Sequence, residues 1–153
     1  MSTPLGLAHA ALSDAADRIT AKDAERESFD LFVGIGRGEL LPYGSYYLAG
    51  FLNERPLARL REDLARFGIE RTEATVEPED HAAILCEIMS GLASGRLEAD
   101  ANAQREIFQK HIAPWMSRLF ADIERAAAAT KFYRQVGMLG RVFLDIEQQA
   151  FAL

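Results

Sequence analysis

Apolar residues recur at three- and four-residue steps along most of the chain, and no stretch alternates with the two-residue rhythm of a strand. Leu5, Ala8, Leu12, Ala15, Ala16 and Ile19 predict an amphipathic helix over Ser2–Thr20, capped by Ser2 or Thr3, with Pro4 in its first turn. Lys22 and Asp23 form a charged break before a second helix, Ala24–Val33, with Phe29, Phe32 and Val33 inward and Gly34 as its stop. A short helix capped by Ser45 follows the bend at Pro42 and Gly44. Asn53 or Glu54, then Pro56, opens a helix through Phe67 with Leu57, Leu60, Leu64 and Phe67 inside, and Arg59, Glu62, Asp63 and Arg66 outside. Gly68 ends it, and residues 69–76 form a polar, hinge-like connector.

The next helix is expected from Glu77 to about Leu92. Pro78 suits a first turn, Glu77, Glu79 and Asp80 put negative charge at the positive end of the dipole, and His81, Ile84, Leu85, Ile88 and Leu92 make the buried stripe. Asp80 and Glu87, seven apart, return to one side of such a helix. After Gly95, Asp100 or Asn102 opens a helix with Ile107, Phe108 and Ile112, which ends or bends before Pro114. Pro114 begins another, faced by Trp115, Leu119, Phe120, Ile123 and Ala127; the single tryptophan reads as a core anchor. From Lys131 the last helix carries Phe132, Val136, Leu139, Phe143, Ile146, Ala150 and Leu153, a seam that demands a partner helix, internal or from a second subunit. The prediction is an all-α bundle of about seven helices in one domain spanning residues 1–153.

Composition narrows the function classes. At 153 residues, 49% hydrophobic and 26% charged, the chain suffices for one domain with a substantial core. A net charge of −6 argues against a phosphate-backbone binder and is compatible with a basic peptide. Cys86 is the only cysteine, which excludes an intramolecular disulfide and a cysteine-clustered metal site and fits a reduced, cytoplasmic setting. His9, His81 and His111 lack the spacing of a zinc site, so no metal or other cofactor is expected. No apolar run is long enough to span a membrane, and no basic segment followed by an apolar stretch marks an export signal at the N-terminus. Gly34-Ile35-Gly36-Arg37-Gly38 lacks the Gly-Lys-Ser/Thr ending of a phosphate loop and reads as a flexible connection.

Two stretches carry candidate chemistry. Glu77-Pro78-Glu79-Asp80-His81 is either helix capping with a histidine satisfied at the core edge, or a recognition site where Glu77, Asp80 and Glu87 offer charge-assisted hydrogen bonds to a cation and His81 fixes their geometry. Periodicity does not decide between them. Tyr43, Tyr46 and Tyr47 either pack the core edge or wall a peptide groove. A hydrolase built from Ser45, His81 and Asp80 has no nucleophile-elbow context. A helical dimer or scaffold using the last-helix seam is a further alternative.

Glu77-Pro78-Glu79-Asp80-His81, preceded by Glu39-Leu40-Leu41-Pro42-Tyr43-Gly44-Ser45-Tyr46-Tyr47, resembles the paired motifs of the TorD/DmsD family, chaperones of molybdoenzymes exported by the twin-arginine route. The likeness runs from about Phe29 to the C-terminus. It implies an all-α, TorD-like fold and a cytoplasmic, non-enzymatic chaperone that binds the twin-arginine signal peptide and apo-enzyme until cofactor insertion. Carried over to this sequence, it implies a peptide site at Glu77, Pro78, Asp80 and His81 with Tyr43, Ser45 and Tyr46; Glu87 joins them from the residue reading. The Gly-Arg-Gly-Glu-Leu-Leu-Pro-Tyr form leans toward a formate dehydrogenase client over the trimethylamine-oxide or dimethyl-sulfoxide reductase class. One departure is expected: the family's first N-terminal helices have no counterpart here, and a homodimer formed by helix exchange is one way to complete such a core.

Overall fold

The computed structural model describes residues 2–126, 129 and 131–153. Its ordered elements among these are eight α-helices: α1 Pro4–Arg18, α2 Ala21–Phe32, α3 Gly44–Ala49, α4 Arg55–Arg66, α5 Ala82–Ser94, α6 Ala103–Ile107, α7 Met116–Arg125 and α8 Tyr133–Ala152, with a π-helical turn at Phe108–Ile112. The all-α expectation holds. Contacts divide the chain into two compact units, one of Met1–Leu41 with Ser117–Leu153, the other of Pro42–Met116.

In the first unit, Thr3 caps α1 by accepting from Gly6 N–H, and α8 packs along α1. The expected break at Lys22 and Asp23 is instead the first turn of α2, because the Thr20 hydroxyl accepts from Asp23 N–H and caps the helix three residues earlier. The inward face of α2 also differs. Leu31 and Glu27 are buried, whereas Phe29 and Val33 are exposed and Phe32 is half-buried. Glu27 turns inward because its carboxylate accepts the N–H groups of Lys131, Phe132 and Tyr133 at 2.6, 3.0 and 3.0 Å, the unbonded donors at the start of α8. Leu31, Ala126 and Ala129 form the local core, with Phe32, Leu40 and Tyr133 against it.

Gly34 and Gly36 take positive φ, so the glycine-rich loop turns back and lets Glu39 and Leu40 donate to the carbonyls of Asp30 and Leu31. On α8 the fully buried positions are Gly137 and Leu144, while Phe143 and Ile146 of the expected seam are largely exposed. The reason lies on α7, whose backbone sits so close to Gly137 that the glycine row, not the large apolar row, faces it. Ala127, assigned to the α7 face from spacing, lies outside the described residues. Leu119 and Ile123 of that face are buried and Phe120 is half-buried.

In the second unit the α4 face is as expected, with Leu57, Leu60 and Leu64 buried and Phe67 at its end. Leu85, Ile88 and Leu92 of α5 are buried, as are Ile107, Phe108 and Ile112 before Pro114. Trp115 is 1% exposed and donates Nε1–H to the His111 carbonyl at 2.6 Å, as a core anchor should. The connector 69–76 lies within this unit, tied by Arg71, which donates to the carbonyls of Thr75 and Val76. No helix among the described residues is long and apolar enough to cross a membrane.

Candidate functional site

From Pro42 onward the first motif lies beside the second within the second unit, while Glu39, Leu40 and Leu41 belong to the first unit. Tyr43 and His81 form an isolated antiparallel bridge: Gly44 N–H donates to the Asp80 carbonyl at 3.0 Å, and Ala82 N–H donates to the Pro42 carbonyl at 2.9 Å. This clasp explains why α5 starts at Ala82 and not at Glu77. The Asp80 carbonyl and the Ala82 N–H are committed to residues 42–44, the Glu79 carboxylate to Arg61 and one Asp80 oxygen to Ser45 N–H, and His81 sits in extended conformation at the N-cap, where its Nδ1 accepts from Ala83 N–H at 3.1 Å. Pro78 therefore precedes the helix, in a turn closed by His81 N–H on its carbonyl. Asp80 is outside the helix too, so it and Glu87 do not share a helical face; Glu87 is exposed on α5 and lines a separate cavity.

Asp80 is 4% exposed. Its Oδ2 accepts from Ser45 N–H at 2.8 Å, capping α3 from 35 residues away, so the cap expected from Ser45's own hydroxyl is supplied by this carboxylate. Its Oδ1 and the Ser45 hydroxyl are buried with no hydrogen-bond partner among the described residues. A buried polar atom without a partner is uncommon, since burying an unbonded acceptor costs about 1–3 kcal/mol and more for a charge.

Glu77, which is exposed, accepts from the Tyr43 hydroxyl at 2.5 Å, and the Tyr43 ring stands edge-on to His81 with centroids 5.0 Å apart. Burial, the hydrogen bond to Glu77 and the charges of Glu77 and Asp80 drive the Tyr43 phenol well above its ordinary range, so it stays a neutral donor. Burial also lowers the His81 pKa, against the opposing pull of Glu77 and Asp80. Tyr46 packs edge-on to Tyr47, which in turn lies against Trp115.

A cleft of about 740 Å³ opens beside this clasp. Asp80, Gly44 and Leu48 line one side, Arg55, Arg59 and Leu60 come from α4, and Lys110, His111 and Trp115 from the π-helical turn and the residues after it. Gly44 stands in a tight place: an added Cβ would lie 3.1 Å from Trp115 Nε1, so the indole would have to give by a few tenths of an ångström. His111 Nε2 meets Asp63 Oδ2 at 2.7 Å. Burial works against that carboxylate, but hydrogen bonds from Arg66 and His111 and the charge of Lys110 hold it below its ordinary value.

Sequence reasoning missed three contributors. Glu79, buried beneath the motif turn, is held by Arg61 at 2.9 Å with Arg71 at 3.9 Å, and Asp63 and His111 meet across 48 residues. No spacing rule links such partners. Trp115 was legible as an anchor, while its place on the cleft wall depends on the packing of the unit. The residues named for a hydrolase are not arranged as a nucleophile and base: among the described residues the Ser45 hydroxyl has no hydrogen-bond partner, and His81 spends Nδ1 on a helix cap. Among the described residues no three His, Cys, Asp or Glu side chains group as a metal site.

The comparisons agree with the motif reading. The chain is 33% identical to the chaperone protein TorD of Vibrio cholerae over 96 residues, covering 57% of this chain and 44% of that protein. It is 29% identical to chaperone protein TorD of Pasteurella multocida over 119 residues, covering 78% and 59%, and 26% identical to that of Vibrio atlanticus over 159 residues, covering 92% and 72%. The chain thus spans less than half the length of the Vibrio cholerae relative it matches. A model of the family described as nitrate reductase delta subunit, the family that holds TorD, matches residues 1–121, and the chain belongs to that family.

Proposed function

We propose that this chain is a chaperone that binds the twin-arginine signal peptide of an exported molybdoenzyme through the clasp and its cleft. The observation that carries the reading is the Asp80 carboxylate, which spends one oxygen on Ser45 N–H at the start of α3 and leaves the other buried with no partner among the described residues. A guanidinium brings planar N–H donors suited to a carboxylate oxygen, and the desolvated setting strengthens such a bond. In this reading Asp80 is the arginine acceptor, and Ser45 accepts a second N–H. Glu77 holds Tyr43, Tyr43 and Pro78 shape the motif turn, and His81 fixes it as the cap of α5. Tyr46 supports Tyr47 and Trp115 behind the cleft, and Glu87 lies outside the site. The chain acts by holding its client, without catalysing a reaction, and a formate dehydrogenase is the client toward which the motif leans.

The test is calorimetry with a twin-arginine signal peptide and with the same peptide carrying two lysines. Arginine-dependent binding is expected, accompanied by a change in the emission of Trp115, the single tryptophan, which lines the cleft. Absence of binding by folded protein to peptides from all three client classes would reject the reading. A second reading, self-association through α1 and α8, draws on the exposed Leu7, Phe143 and Ile146. It requires a concentration-dependent mass in solution and no peptide affinity.

A further inference from the structure

The arginines of α4 divide into two kinds. Arg61 is spent on Glu79, and Arg66 on Asp63 and Glu106. Arg55 and Arg59 are exposed, both line the cleft, and neither makes an ion pair among the described residues. They stand one turn apart at the start of the helix, where like charges at that spacing repel and the positive end of the dipole disfavours a cation. No acidic residue stands in that first turn, and Glu54 at the N-cap makes no side-chain cap bond. Glu62, which also lines the cleft, is joined to neither arginine by an ion pair among the described residues. Local helix stability therefore gives no account of the pair, whereas an anion in the cleft does.

We infer that Arg55 and Arg59 receive an acidic side chain of the bound peptide, so that the segment giving an arginine to Asp80 also carries a glutamate or aspartate. Two surfaces of one cleft select such a segment. Asp80, 4% exposed and with Oδ1 unpartnered among the described residues, calls for a cation, and the arginine pair on the α4 wall calls for an anion. Lys110, a cation that also lines the cleft, is already held by Glu106 and Asp63, which directs the anion to α4. Guanidinium groups suit a carboxylate because their planar N–H donors match its two oxygens. The inference rests on the arginine-peptide reading above and adds an acidic residue as a second determinant of which segment binds.

The test uses peptides with paired arginines in a serine background, each carrying one glutamate about two to six residues before or after the pair, the reach of a short extended segment, and each matched by a glutamine twin. Because the chain has a net charge of −6, its overall field disfavours the added acid, and a preference for glutamate reports a local cation. Wild type should bind the glutamate member of at least one pair about tenfold more tightly, the effect of one charge-assisted hydrogen bond. The double variant Arg55→Gln with Arg59→Gln, at exposed positions and with unchanged circular dichroism, should bind both members alike, at the wild-type level for the glutamine peptide. Arginine-dependent binding with no glutamate preferred at any position would overturn the acidic subsite and leave the arginine site standing. So would a glutamate preference that survives in the double variant. A folded double variant that loses the glutamine peptides as well would make the pair a support of the cleft wall and overturn the inference. Failure of folded wild type to bind any of the peptides would remove both readings.

Discussion

Asp80 does two jobs with two oxygens, and substitutions can separate them. Asp80→Asn can keep an oxygen on Ser45 N–H while replacing the unpaired acceptor with an amide that cannot take a guanidinium proton. It should remain folded and lose about 1.5–3 kcal/mol of peptide affinity by calorimetry, the usual worth of a charged hydrogen bond. Asp80→Ala should show the same loss and in addition about 0.5–2 kcal/mol lower stability in urea, because α3 loses its cap. His81 gives a pH signature. Burial lowers its pKa, so the unfolded chain binds the proton more readily than the folded one. The stability this neutral ring contributes is complete above its ordinary pKa near 6.5 and falls away as the pH drops through the lowered value. His81→Asn preserves an N-cap acceptor without a titrating ring, so urea midpoints measured from pH 7.5 down to pH 5 should fall less steeply in the variant than in wild type. Tyr43, Ser45, Asp80 and His81 were legible as notable residues from their motifs; that Asp80 rather than Ser45 caps α3 was not, because the capping partner is 35 residues distant.

Helix ends and crossings decide the element scale. Glu27 lies in the middle of α2 and reads as a surface acid, yet it closes the start of α8 with three backbone hydrogen bonds. Glu27→Ala should lower stability by about 2 kcal/mol, as expected for unpairing three partly buried helix-start donors, and should speed amide exchange at Lys131, Phe132 and Tyr133. The α7 and α8 crossing makes a sharper contrast. A Cβ at Gly137 would meet the Glu124 nitrogen at 2.6 Å and the Phe120 carbonyl oxygen at 2.7 Å, both backbone, whereas at Gly140 it meets only the Phe120 ring. Gly137→Ala should therefore lose roughly 1–3 kcal/mol despite the gain in helix propensity, and Gly140→Ala less, since the Phe120 side chain can swing to another χ1 rotamer where a helix backbone cannot move aside; thermal denaturation of the two variants compares them directly. Spacing alone assigned Phe132, Val136, Leu139, Phe143 and Ile146 to the seam, because hydrophobicity marks large side chains and is silent about where a neighbouring backbone needs the absence of one.

For the whole molecule, ligand binding and folding are linked, because a peptide that binds only the folded chain raises its unfolding temperature. At about one hundred times its dissociation constant an arginine-paired peptide should add about 2.7 kcal/mol of stability, readable as a shift in the melting temperature, and the lysine-paired peptide should add far less. The all-α class, most helix positions, the buried stripes of α4 and α5 and the two family motifs were all determined by the sequence alone. These follow from local rules: a 3.6-residue period, glycine and proline at the ends, and short motifs that keep their spacing. The tertiary structure alone decided that α5 begins at Ala82, that Tyr43 and His81 pair backbone to backbone, and that Asp80 keeps one oxygen buried with no partner among the described residues. Each of these depends on hydrogen bonds between residues tens of positions apart, and backbone pairing across that distance competes with local helix propensity on terms that only the folded chain sets.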